Sequence, residues 1–122
     1  MRYFMSLISD PAAEPYVREE DTIGSWIDEM TERGVLLLGE RLRPREAATT
    51  VRRRGGKLLV TDGPYAEAKE WVAGIGVLEC RDLDEAIDVA SRHPMARFGT
   101  VELRPVWPLS WDDAGRPIEE PA

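Results

Sequence analysis

Two residue types that often carry chemistry are nearly absent from this chain: its 122 residues include one cysteine, Cys80, and one histidine, His93. A lone cysteine excludes an intrachain disulfide and fits a reducing compartment. One His, one Cys and scattered carboxylates provide no ligand spacing such as His-x3-His or Cys-x2-Cys, so no metal is expected. Positive charge is short too: 16 Lys and Arg stand against 23 Asp and Glu, a formal net charge of −7. That argues against a nucleic-acid partner, and none is expected, because phosphate binding needs a clustered positive surface. No apolar run approaches the ~20 residues a membrane helix requires. The opening MRYFMSLISDPAAEP is too short and too interrupted for the apolar core of a signal peptide. No Gly-rich phosphate loop, nucleophile elbow or dinucleotide fingerprint occurs, and no cofactor is expected. These absences lead to the expectation of a soluble cytoplasmic protein with no membrane partner.

What is present is an ordinary globular balance, 43% hydrophobic and 32% charged, over a length that favours one domain. Residues 2–8, RYFMSLI, read as a strand ended by Ser9, Asp10 and Pro11. Residues 21–33 read as a helix, with Ile23, Trp26, Ile27 and Met30 on one stripe. Asp21 or Thr22 can cap its start, and Gly34 suits the position after its end. Val35 to Leu38 is a continuous apolar run, which predicts a strand buried on both faces. Residues 49–54 and 57–61 form a hairpin through Gly55-Gly56.

Residues 72–80, VAGIGVLEC, are a further strand in which Gly74 and Gly76 leave one face bare, so something is expected to approach the backbone there. A second helix covers 83–92, with Leu83, Ala86, Ile87 and Ala90 as its apolar stripe. Asp82 and Glu85 form a capping-box pattern, and Pro94 blocks continuation. Residues 99–106 alternate, Val101 and Leu103 one way and Thr100, Glu102 and Arg104 the other. The order is β-α-β, hairpin, β-α-β. Without the hairpin this is the ferredoxin-like split βαβ pattern, an α+β fold with both helices on one face of an antiparallel sheet. The domain is expected over 1–108, with a partly flexible tail over 109–122. The open face carries apolar residues, and a homodimer through it is expected.

The residues with chemical potential cluster around VTDGPYAEAKE, residues 60–70. Asp62-Gly63-Pro64 is a turn on local physics alone: Asp bonds its following backbone, Gly takes φ > 0 and Pro fixes the next φ. Yet Asp62, Glu67, Lys69 and Glu70 lie within nine residues, and a carboxylate beside a lysine can be tuned for acid–base work. His93 has two readings, a cationic cap on the second helix or a proton carrier. Arg52-Arg53-Arg54 alternates across the hairpin, protecting an edge or attracting an anion. Trp26 reads as core, and Trp107 and Trp111 as packing onto the sheet or a partner subunit.

The motifs VTDGPYAEAKE, LDEAI and GTVELRPV, with MRYFMSLI and GVLLLGERLRP, together resemble the DGPF-type branch of the YCII-related proteins over residues 1–107. Tyr65 stands where that branch has Phe, and Ala68 where Thr is usual. The wider family's proposed acid–base dyad pairs a His on the first helix with an Asp before a Pro. It does not carry over: TIGSWIDEMTER has no histidine, and His93 precedes Pro94. The resemblance implies a dimeric α/β-barrel type of ferredoxin-like fold with a cleft between sheet and hairpin. It also implies a bacterial setting beside extracytoplasmic-function sigma factors. The expected function is small-molecule binding in a polar cleft near the Asp-Gly-Pro turn, with Asp62 and His93 as acid–base residues and Tyr65, Glu67 and Lys69 as ligand contacts. The alternative is a non-catalytic regulatory or interaction protein linked to such a sigma factor.

Overall fold

The first strand, β1 (Arg2–Ser9), alternates Tyr3 and Met5 into a core with Phe4 to the other side. In the computed structural model, which describes residues 1–65, 69–107, 110–111, 114 and 116–118, this strand lies inside a four-stranded antiparallel sheet. The order is β2 (Leu36–Arg41), β5 (Trp71–Glu79), β1, β6 (Thr100–Pro105). The hairpin of β3 (Thr49–Arg54) and β4 (Lys57–Asp62) stands apart as its own ribbon, and β7 (Ser110–Trp111) pairs with β8 (Pro117–Ile118). The fold is α+β, and the described residues form no closed barrel.

Helices α1 (Ile23–Glu32) and α2 (Leu83–Ser91) cover one sheet face. Trp26, Met30, Ala86, Val89 and Ala90 pack with Tyr3, Met5, Leu78 and Cys80. The Trp26 indole N–H donates to the Val89 carbonyl at 2.9 Å and ties the helices together. Gly34 ends α1 at φ 71. Its N–H donates to Thr31 O and that of Val35 to Met30 O, which gives the last turn its backbone partners. Asp82 accepts the Glu85 N–H at 2.9 Å while Glu85 accepts the Arg81 N–H at 3.0 Å, a capping box displaced by one residue. A short helix, α3 (Met95–Phe98), follows Pro94; it extends the chain past the point where the pattern ended.

Two expectations are corrected. The strand after α1 is not buried on both faces: Leu37 and Leu38 are 48% and 44% exposed, because β2 is an edge strand. The α2 stripe is also rotated, burying Ala86, Val89 and Ala90 and leaving Leu83 and Ile87 about half-exposed. The glycine face of β5 is filled as expected. Gly76 lies opposite Met5 and Gly74 opposite Leu7, and a Cβ on either would press those side chains.

The other face of the sheet carries Leu38, Val77 and Phe4 in a row across β2, β5 and β1, with Ile75 beside it. On this face Phe4 and Leu38 are 36% and 44% exposed. Most of the tail over 109–122 lies outside the described residues.

Candidate functional site

The Asp-Gly-Pro corner is built by backbone and a hydroxyl. Gly63 takes φ 103, a conformation open to glycine. Its N–H donates to Ala48 O at 2.7 Å, and its carbonyl accepts the Thr50 hydroxyl at 2.8 Å. The Asp62 carboxylate makes no hydrogen bond or ion pair among the described residues, so the turn does not depend on it.

Register decides where Asp62 points. Thr49, Val51 and Arg53 lie opposite Asp62, Val60 and Leu58, and each such pair shares one face of the ribbon. Asp62 therefore closes the end of a patch in which Val51, Leu58 and Val60 are 63%, 57% and 59% exposed. Arg52 lies on the opposite face, its Nε buried and without a hydrogen-bond partner among the described residues. Arg53 and Arg54 donate to Gly56 O and Arg53 O, so two of the three arginines fasten the hairpin. Tyr65 and Lys69 are exposed, and Glu67 lies outside the described residues.

His93 sits elsewhere, at the joint between α2 and α3, 6% exposed. Its Nδ1 accepts the Met95 N–H at 3.0 Å, which leaves the proton of the neutral ring on Nε2. The ring meets Trp26 edge-on with centroids 4.7 Å apart. Burial pushes its pKa down to about 4, with the Asp21 carboxylate pulling the other way. The cationic-cap reading is thus corrected: His93 is neutral at pH 7 and accepts at the helix end. Among the described residues no hydrogen bond, ion pair or electrostatic interaction joins His93 to Asp62.

Around His93 lies a network the sequence reading missed. Asp21 accepts the Ile23 N–H at 3.0 Å and the Tyr16 phenol, whose pKa its carboxylate raises. Tyr16 packs edge-on against Phe98, and Arg97 lies over the same ring while pairing with Glu14 and Glu20. The hint was acidic residues and Tyr16 before the first helix facing the sole histidine, a pairing across distant segments that spacing does not reveal.

Two surface clefts are formed by other residues. One, about 530 Å³, is lined by Arg33, Glu79, Arg81 and Glu85 beside the Met1 ammonium. Its charges are already paired, Met1 with Glu79 and both arginines with Glu85. Buried Cys80 is at its floor, and burial pushes its thiol pKa up, so it is a poor nucleophile. The other, about 340 Å³, runs between Ile87 on α2 and Val101 and Leu103 on β6. No cluster of three or more His, Cys, Asp or Glu able to hold a metal occurs among the described residues, and no described helix is long and apolar enough to cross a membrane.

A helix-backed antiparallel sheet with a projecting hairpin defines a small α+β protein. The chain belongs to the YCII-related domain family, whose model matches residues 1–110. A Rhizobium meliloti (strain 1021) protein described as uncharacterized is similar, 43% identical over 68 residues; the match covers 54% of this chain and 55% of that protein.

Proposed function

We propose that the chain acts as a homodimer and binds a small molecule against Asp62, in a pocket completed when a second copy covers the open sheet face and the outer face of the hairpin. One observation carries this reading: Asp62 ends a hairpin face on which Val51, Leu58 and Val60 are exposed. A two-stranded ribbon cannot bury such a face by itself, and apolar patches of this kind mark contact surfaces. The row Leu38, Val77 and Phe4 offers a second apolar wall. The strand order β2-β5-β1-β6 agrees with a ferredoxin-like fold of the dimeric α/β-barrel type, and Asp62-Gly63-Pro64-Tyr65 agrees with the DGPF branch.

Covered by a partner, the Asp62 carboxylate loses water and takes its hydrogen bonds from the bound ligand instead. Tyr65 and Lys69 are near in sequence and free to orient a ligand. His93 contributes as a neutral member of the helix layer.

Light scattering after size exclusion tests the assembly. The wild type is expected to self-associate at least as a dimer, and Val60→Lys to lose the face contact and form a smaller species, with unchanged far-UV circular dichroism. A monomeric wild type at tens of micromolar overturns the reading. A thermal-shift panel of small metabolites then tests the site: stabilising compounds should lose their effect on Asp62→Asn. Retained shifts exclude Asp62 from the site, and a dimer that responds to no compound supports the interaction-protein alternative.

A further inference from the structure

The sheet has two edges, and they are unlike. The outer strand β2 has a register break between Leu36 and Leu38, whereas β6 pairs regularly with β1 over all six residues. The Val106 N–H donates to Arg2 O at 2.9 Å. Antiparallel ladders alternate, so Arg104, Glu102 and Thr100 bond toward β1 as well. Val101 and Leu103 therefore turn their N–H and C=O groups outward, with the Pro105 carbonyl beyond them. Among the described residues no strand takes these groups.

The side chains of β6 divide by face. Val101 and Leu103 pack against the core on the helix side and line the groove with Ile87. Glu102 and Arg104 stand exposed on the open side, and neither is in an ion pair among the described residues. We propose that β6 is a self-pairing edge: a second copy adds its own β6 antiparallel about a two-fold axis at Leu103, joining two sheets into one of eight strands.

Charge sets the register. With Leu103 opposite its copy, Glu102 lies across from Arg104 of the other chain, and Arg104 from Glu102. Two opposite-charge pairs form on one face. A shift of the axis to residue 102 puts Glu against Glu, and to residue 104 puts Arg against Arg. At the Leu103 axis the two Leu103 residues exchange both backbone bonds, and each Val101 N–H meets a Pro105 carbonyl. The grooves then face each other, and half-exposed Ile87 of α2 lines each beside the joint. An isologous contact of this kind is self-complementary. It uses the sheet edge, so it stands or falls apart from the face-covering dimer proposed above. The competing account is that Glu102, Arg104 and Pro105 merely protect a short edge from pairing.

Charge reversal separates the two. Sedimentation equilibrium is run in the Val60→Lys background, where the face contact is removed. Glu102→Arg alone and Arg104→Glu alone should each weaken self-association about tenfold, since both pairs turn repulsive. The double reversal should restore it. An equimolar mixture of the two single variants should form a heterodimer, because every cross-strand pair is then opposite in charge. Hydrogen exchange should show the Val101 and Leu103 amides protected with rising concentration in the parent, and the Leu103 amide exposed in Val101→Pro, with thermal melting used to confirm folding. Unprotected amides, or single variants that associate as well as the double, overturn the proposal. If Val60→Lys still associates with these amides protected, edge pairing holds and the face-covering dimer alone is tested by the remaining fraction.

Discussion

The Nδ1 atom of His93 accepts the backbone N–H of Met95 at 3.0 Å. That bond explains why a histidine can occupy the joint between two helices without charge. The imidazole satisfies a donor at the start of α3, and its buried ring fills the space beside Trp26. A protonated ring would lose the acceptor and bring an unsolvated charge.

The first prediction follows from that neutrality. The folded-state pKa is lowered from 6.5 to about 4. Between those values the unfolded chain binds the proton and the folded chain does not, so stability rises with pH. The contribution is present in full above pH 6.5 and is lost as the pH falls toward 4. Urea unfolding at pH 7 and pH 5 should show the wild type losing about 1–2 kcal/mol more than His93→Gln over that interval. An NMR midpoint near 6.5 for His93 would refute this.

Asp21 offers a second test. Its carboxylate is the group that raises the His93 pKa against desolvation. Asp21→Asn keeps an oxygen able to accept the Ile23 N–H but removes the charge. The His93 midpoint should fall further in this variant, and Tyr16, freed of the carboxylate that raises its pKa, should titrate lower. Unmoved midpoints for both would show that the network is electrostatically silent.

Third, glycines in the sheet region should differ in cost. A Cβ on Gly99 would run into the Ile8 carbonyl and the Met95 side chain, whereas one on Gly76 would meet Met5 Cε, the end of an unbranched side chain, at 2.7 Å. Backbone cannot give way as a methionine end can. Denaturant midpoints should rank Gly99→Ala as the more destabilising, at about 2–3 kcal/mol, with Gly76→Ala nearer 1 kcal/mol. The opposite rank would mean that β1 shifts more easily than the core.

Much of the architecture was legible along the chain. Gly55-Gly56 marked the hairpin, Asp82 with Glu85 the start of α2, and Gly34 the end of α1, because each acts through bonds to neighbours within a few residues. The candidate site was far less legible. VTDGPYAEAKE was found by clustering in sequence, but which way Asp62 faces depends on its cross-strand register with Thr49. The Tyr16–Asp21–His93 network was missed, since Asp21 and His93 come from segments that meet only when α1 and α2 pack.

By itself, then, the sequence determined the order of the six longer strands and the two longer helices, the turn chemistry and the exclusion of an intrachain disulfide, all of which rest on local bonding or composition. The tertiary structure decided the rest: β2 and β6 as edges, Ile87 and Leu83 as surface, His93 as a neutral buried acceptor, and Asp62 as the end of an uncovered apolar face. These are properties of which distant segments lie side by side. Periodicity names a face, but burial and register alone say what that face meets.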